Sequence, residues 1–132
     1  MKKIKRYAGI LMMLTLLVGF TSCEDDDSIY NDLMGRTWVG DLWFGDDDDP
    51  IESGIRLDEH GLGIDYQIYD YDGVPAGDLP FRWWVDYGIL YLDYGPHYAV
   101  REIRGVSVRG RYLLGDLYLD GVYIDYIELK MQ

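Results

Sequence analysis

Short runs of alternating apolar and polar residues, separated by turn-forming residues, constrain the fold of this chain more than any other feature. In residues 62–69, for example, every second side chain is apolar, which is the period of a strand with one buried face. The pair Asp120-Gly121 separates the last two runs and strongly favours a two-residue hairpin. The sequence after residue 33 therefore consists mainly of short strands and tight turns.

About eight such runs occur at nearly regular spacing, and no helical period follows the N-terminal segment. The short connections leave no room for crossover helices, so neighbouring strands are expected to be antiparallel. We predict an all-β domain over residues 33–132, a small antiparallel meander that closes into a barrel or packs as a sandwich.

The first 22 residues have the composition of a secretory signal peptide. Basic residues begin the segment, an apolar run of 13 residues from Ala8 to Phe20 follows, and small polar residues lead to Cys23. The apolar run is too short for a membrane-spanning helix, which needs about 20 residues. We expect residues 1–22 to be removed during export.

The residues around the single cysteine resemble a bacterial lipoprotein signal. Phe20-Thr21-Ser22-Cys23 is similar to a lipobox. The resemblance implies that Cys23 becomes the first residue of the mature chain and carries diacylglycerol and an N-linked acyl chain such as palmitate. The alternative is a free thiol, which is unfavourable in an oxidising compartment. We expect Cys23 to be a lipid anchor, with residues 23–32 as its tether.

An acidic stretch, Glu24 to Asp27, follows the cysteine directly. It resembles the export signal of surface lipoproteins in many Gram-negative anaerobes, and this resemblance implies an outer-membrane protein that faces the cell surface. The same stretch is also compatible with a solvated, flexible acidic tether. The two interpretations are compatible with each other.

The charge of the mature chain limits its partners. Four of the 12 basic residues lie in the signal segment, so residues 23–132 carry eight basic and 24 acidic residues, a formal charge of −16. This charge repels nucleic acid and anionic membranes, and it favours divalent cations or basic partners. The abundance of Tyr, Trp, Ile, Leu and Val indicates a folded core.

Two segments resemble lipocalin-like domains. LMGRTWVGDLWF, with Gly35 and Trp38, is similar to the first strand of such domains, and FRWWVDYGILYLDYG resembles the small lipocalin-like lipoproteins of the same bacteria. The resemblance implies a lipocalin-like barrel and does not imply a bound ligand.

The sequence offers little support for catalysis. His60 and His97 both lie in predicted turns without metal-ligand spacing, and no nucleophile or phosphate-binding motif occurs. We expect no enzymatic activity and no cofactor. The best metal candidate is a Ca²⁺ site in the acidic loop, although the loop lacks the spacing of a calcium-binding loop and a solvated charge run is the favoured interpretation; its residues are Asp46, Asp47, Asp48 and Asp49.

The aromatic residues fall into two predicted sets. A core set is expected to face inward: Trp38, Phe44, Tyr66, Phe81 and Trp83. The other set lies on opposite faces between Asp and Arg, where it forms a possible binding surface or packs under a loop: Trp43, Tyr69, Tyr71 and Trp84. Four arginines are expected to pair with acids on neighbouring strands: Arg101, Arg104, Arg109 and Arg111.

Three functions are compatible with this sequence. The first is a non-enzymatic, surface-anchored lipocalin-like protein that binds a small molecule, a glycan or a protein. The second is a structural or accessory envelope lipoprotein whose barrel is filled by side chains, as a small barrel allows. The third is an inhibitor of a basic protein, steered by the −16 charge. An interior cavity would favour the first function over the second.

Overall fold

The computed structural model describes residues 25–132 as one short helix and eight strands, with a single 3₁₀ turn at Glu59–Gly61. The elements are α1 (Asp26–Leu33), β1 (Thr37–Gly40), β2 (Ile51–Leu57), β3 (Leu62–Tyr69), β4 (Pro75–Asp86), β5 (Ile89–Asp93), β6 (Arg101–Arg109), β7 (Tyr112–Leu119) and β8 (Val122–Met131). The predicted signal peptide and Cys23 lie outside the described residues. No helix among residues 25–132 is long and apolar enough to cross a membrane.

The eight strands form a closed antiparallel barrel in which each strand pairs with its neighbours in the chain. The first and last strands close it through the pairs Lys130↔Val39 and Met131↔Trp38. The prediction of an all-β domain with eight antiparallel strands is therefore confirmed. Of the two predicted arrangements, barrel and sandwich, the barrel is correct. The predicted hairpin at Asp120-Gly121 is also confirmed, because both residues have the positive φ that its turn requires.

The barrel has two distinct ends. The helix end carries α1 and the short connections β2–β3, β4–β5 and β6–β7. The loop end carries residues 41–50, 70–74, 94–100 and 120–121. This division follows from the meander, because alternate connections lie at opposite ends of the strands.

The interior between these ends is filled by side chains. Trp38 and Trp83 are the largest fully buried residues, and they are surrounded by Leu, Ile and Phe side chains from β2 and from β4 to β8. Gly40 allows close packing, since a Cβ at this position would collide with the Leu129 side chain. An eight-stranded barrel is just wide enough for such a filling.

The helix α1 corrects the prediction of a tether through residue 32. Asp25 caps the helix, accepting a hydrogen bond from the Ser28 N–H at 2.8 Å. Ile29 and Leu33, four residues apart, are buried on the barrel. Tyr30 stacks on Trp83 with 4.6 Å between ring centroids. The acidic run concealed this short amphipathic pattern, so residues predicted as a tether form a helix that packs on the barrel.

The strand β3 faces the opposite way from the prediction. Gly63, Asp65 and Gln67 point inward, whereas the apolar side chains between them lie toward the outer surface. Tyr66, predicted as core, is 47% exposed. The reversal has a steric cause at Gly63, where a Cβ would collide with the Phe81 ring. The interior at this point has room for Phe81 only if the inward residue is glycine.

The first predicted strand is also shorter than expected. It ends at Gly40, so Leu42 and Phe44 lie in the loop 41–50. Leu42 is nevertheless fully buried, and Phe44 is half-buried against the core. Trp38, Phe81 and Trp83 are buried as predicted. The loop 41–50 therefore reaches back over the barrel interior.

Candidate functional site

A polar cluster lies inside the barrel, below the loop end. Its centre is Asp65, whose carboxyl oxygen Oδ2 accepts hydrogen bonds from Ser53 Oγ (2.9 Å), Gln67 Nε2 (3.1 Å) and Tyr94 Oη (2.9 Å). The second oxygen of Asp65, Oδ1, is buried and has no hydrogen-bond partner among residues 25–132. We call these four residues the interior carboxyl cluster.

Burial dominates the titration of this cluster. Desolvation raises the pKa of Asp65 above its ordinary value, and its hydrogen bonds with Tyr94, Ser53 and Gln67 oppose that rise without cancelling it. The pKa of Tyr94 is also raised well above its ordinary value, first by burial and then by the adjacent Asp65 carboxylate. Both shifts favour the neutral forms, so the cluster is mainly a network of hydrogen bonds.

Arg101 joins two loops above this cluster. Its guanidinium donates hydrogen bonds to the backbone carbonyls of Leu42 (3.1 Å), Trp43 (2.9 Å) and Ala99 (2.8 Å). The same group lies over the Phe44 ring, 3.7 Å from its centroid. Burial lowers the pKa of Arg101. The arginine therefore holds loops 41–50 and 94–100 together, and the prediction that it pairs with an acid on a neighbouring strand is wrong.

Two of the other arginines, Arg104 and Arg111, also differ from the prediction. Arg104 binds Glu102 on its own strand, with Nε 3.0 Å from Oε1. Arg111 donates to the backbone carbonyl of Met131 at 3.0 Å. Cross-strand ion pairing is thus not the role of these two residues.

The four predicted surface aromatics are divided between two places. Trp43, Tyr69 and Tyr71 belong to the loop end, where the rings of Tyr69 and Tyr71 lie 5.8 Å apart. Trp43 is 50% and Tyr71 is 65% exposed, whereas Tyr69 is half-buried. Trp84, 43% exposed, lies on the outer wall of β4 near the helix end. The structure therefore does not form one surface from these four residues.

On the outer wall, Trp84 belongs to a row that the sequence analysis missed. Cross-strand pairs connect Trp84 to Tyr91, Tyr91 to Glu102, Glu102 to Tyr118, and Tyr118 to Tyr123. Directly paired residues share one face of a sheet, so this row crosses five strands on the outside of the barrel. We call the row, together with the adjacent Arg104, the aromatic belt.

Side-chain contacts along the aromatic belt form two groups, one on either side of the Tyr91–Glu102 pair. Trp84 and Tyr91 stack with ring centroids 5.1 Å apart and an angle of 10° between their planes. Tyr118 packs edge-on against Tyr123 at 5.5 Å, and the Arg104 guanidinium lies 3.7 Å from the Tyr118 centroid. In the sequence, the alternation of apolar and polar residues in β5, β6 and β7 already places Tyr91, Glu102 and Tyr118 on the outer face. That they lie side by side in one row becomes clear only when the strand registers are known.

The acidic loop Asp46–Asp49 forms a turn that its own carboxylate organises. Asp46 Oδ1 accepts the backbone N–H groups of Asp48 (3.0 Å) and Asp49 (2.7 Å). The loop borders a cleft of about 200 Å³ that includes Trp43 and Ile51. Among residues 25–132, no group of three or more His, Cys, Asp or Glu side chains is arranged to hold a metal ion.

Other clefts occur on the outside of the barrel. One of about 570 Å³ lies over Gly54 between Val39 and Ile68. Clefts of about 350 and 460 Å³ lie beside Pro80 and Met34. All of them open to solvent.

The chain matches no protein-family model, no curated protein and no solved structure. Its function is therefore inferred from its own residues and their geometry.

Proposed function

We propose that this chain is a lipid-anchored, non-enzymatic binding protein of the bacterial cell surface that acts through the outside of its lipocalin-like barrel. The observation that carries the proposal is the filled interior. Aromatic and aliphatic side chains occupy the space that a carrier would reserve for its ligand. A filled barrel presents only its outer surface to a partner.

The interior carboxyl cluster supports the same conclusion. Its donors are already used within the barrel, because Ser53, Gln67 and Tyr94 all bind one oxygen of Asp65. Above it, Leu42 and the three hydrogen bonds of Arg101 close the loop end. A ligand would have to displace both layers to enter.

The position of α1 gives the proposed anchor a direction. Cys23 precedes the helix cap Asp25 by two residues, a link of at most about 7 Å. Asp26 binds the turn between β4 and β5 by accepting the N–H groups of Tyr87 and Gly88, both at 2.9 Å. A lipid on Cys23 would hold the helix end toward the bilayer and turn the loop end away from it.

The positions of the two histidines fit a non-enzymatic role. His60 lies in the 3₁₀ turn at the helix end, and His97 lies in an exposed turn at the loop end. The length of the barrel separates them, so they do not act on one substrate.

The test is to produce the full chain in a Gram-negative host that processes lipoproteins and to measure the mass of its N-terminal peptide. We expect a lipidated Cys23, protease sensitivity on intact cells, and neither in a Cys23→Ser variant. Denaturing extraction of the purified protein is expected to release no stoichiometric small molecule. An unmodified Cys23 would overturn the anchor, and a released molecule that the native barrel had protected would overturn action through the outer surface.

A further inference from the structure

The aromatic belt is an exposed surface with a recognisable chemistry. It consists of one Trp, three Tyr and one Arg–Glu ion pair, arranged in register across five strands. We propose that the aromatic belt binds a neutral polysaccharide chain that lies across the strands. This inference rests on one part of the proposed function, namely that the protein binds its ligand through the outside of the barrel.

The aromatic rings supply apolar contact at both ends of the belt. Trp84 and Tyr123 are 43% and 52% exposed, and each is braced by a neighbouring tyrosine. Sugar rings present C–H faces that pack on aromatic rings, while their hydroxyl groups remain hydrogen-bonded to polar groups or water. An aromatic pair at each end therefore allows one extended chain to make two separate stacking contacts.

The centre of the belt supplies polar contact. Glu102 offers carboxylate acceptors, and Arg104 offers several N–H donors of which Nε is used for Glu102. Sugar hydroxyl groups both donate and accept, so they match this pair. The belt thus places an ion pair between two aromatic pairs, so one chain of hydroxylated rings can contact all three in turn.

The charge of the belt favours a neutral ligand. Its two charged groups cancel, whereas residues 23–132 carry a formal charge of −16. The whole domain therefore repels anionic polysaccharides. A cationic ligand would be drawn instead to the acidic run Asp46–Asp49, which is not part of the belt.

The shape of the belt favours an extended chain over a folded protein partner. None of its six side chains borders the four outer clefts described above. The dominant contacts of protein interfaces are buried in well-packed pockets. The belt instead follows the convex wall from Trp84, two residues before the end of β4, to Tyr123, at the start of β8.

The belt is also held in place before any ligand binds. Trp84 stacks on Tyr91, and Arg104 is fixed between Glu102 and the Tyr118 ring. Side chains that are already ordered lose little entropy on binding. Such a surface can bind a flexible chain with few contacts.

The test uses the detergent-solubilised full chain in native affinity electrophoresis. The gels contain one of three neutral probes, namely a soluble β-glucan, dextran or a galactomannan, or alginate as an anionic probe. We expect retardation by at least one neutral probe and none by alginate. Replacing Trp84 by Ala is expected to weaken binding about tenfold, the value of one aromatic stacking contact. Tyr123→Ala tests the other end of the belt.

Trp43→Ala is the matched control, because Trp43 has similar exposure and lies outside the belt. It is expected to bind like the unaltered chain. Failure of all three neutral probes would overturn the proposal, as would equal losses in Trp43→Ala and Trp84→Ala, or equal binding to alginate. Loss of a co-purifying envelope protein in Trp84→Ala, without polysaccharide binding, would assign the belt to a protein instead. These measurements do not depend on lipidation of Cys23, so they test polysaccharide binding by the belt independently of the proposed lipid anchor.

Discussion

The two ends of the barrel are closed by different kinds of interaction. At the helix end, Ile29 and Leu33 of α1 are buried against the strands, and Tyr30 stacks on Trp83. At the loop end, Leu42 is buried in a loop that Arg101 holds through backbone carbonyls. One closure depends mainly on apolar area, and the other depends on directed hydrogen bonds.

The difference shows where this fold tolerates polar groups. The interior carboxyl cluster lies beneath the loop end, where Asp65 finds three donors and Arg101 finds three carbonyls. At the helix end, the indole N–H groups of Trp38 and Trp83 donate to backbone carbonyls and Asp26 accepts two backbone N–H groups, while the buried side chains of α1 are apolar. We therefore expect changes at the helix end to affect global stability and changes at the loop end to affect local order first.

The largest expected effect is that of Leu33→Ala at the helix end. This side chain is fully buried between α1 and the barrel, so its truncation leaves a cavity and costs about 3 to 5 kcal/mol in the free energy of unfolding. Urea denaturation measures the loss. The matched variant is Leu42→Ala at the loop end, which is equally buried but lies in a loop that can collapse into the space. Equal losses in the two variants would contradict the proposed difference between the ends.

Arg101→Met is expected to have the next largest effect. Methionine keeps an apolar side chain beside Phe44 and removes all three hydrogen bonds to carbonyls, which costs about 2 to 4 kcal/mol. Amide hydrogen exchange is expected to accelerate in residues 42–44 before it changes in the strands. The control is Arg109→Met, which replaces an exposed arginine on the same strand and is expected to alter stability by less than about 0.5 kcal/mol.

The variant Asp65→Asn tests how much the buried carboxyl group destabilises the fold when it ionises. The measurement is the stability of both chains as a function of pH. Because the folded pKa of Asp65 is raised above its ordinary value of 3.8, protonation favours the folded state. The contribution of Asp65 to stability is fully present below pH 3.8 and is lost as pH rises through the folded pKa. The unaltered chain should therefore gain stability relative to Asp65→Asn as pH falls from neutral toward 3.8. A difference that stays constant over this range would show that Asp65 has no raised pKa.

The smallest expected effect is that of Asp26→Ala. It removes the two hydrogen bonds to the turn at Tyr87 and Gly88 and is expected to cost about 1 kcal/mol in urea denaturation. Asp27→Ala, an exposed substitution in the same turn of α1, provides the control for charge and helix propensity. Equal losses of stability in the two variants would mean that the hydrogen bonds between Asp26 and the β4–β5 turn do not help to hold α1 on the barrel.

Strand alternation predicted the eight antiparallel strands because each inward face must be mostly apolar. The same reasoning failed on β3, where the inward side chains are those of Gly63, Asp65 and Gln67. Hydrophobicity alone assigned these residues to the outside. Their partners Ser53 and Tyr94 lie 12 and 29 residues from Asp65 in the sequence, so only the folded register reveals that they satisfy the carboxyl group.

The helix and the belt escaped prediction for two other reasons. In α1, the cap Asp25 and the buried pair Ile29 and Leu33 were present in the sequence, but the acidic run suggested a tether. In the belt, Trp84 was correctly assigned to the outside, whereas its neighbours depend on four separate strand registers. The predicted signal peptide, the lipid on Cys23 and the Ca²⁺ site remain predictions.

The pairing of β1 with β8 has a consequence for the rate of folding. The ladder that closes the barrel contains the pairs Lys130↔Val39 and Met131↔Trp38, which join nearly opposite ends of the described chain. Such non-local contacts slow folding, because the entropy of forming the loop is lost before the contacts stabilise it. The hairpins between successive strands can form early, but closure must wait for the residues of β8. Until then, the edges of β1 and β7 are unpaired, and this is the stage at which the chain is most exposed to aggregation.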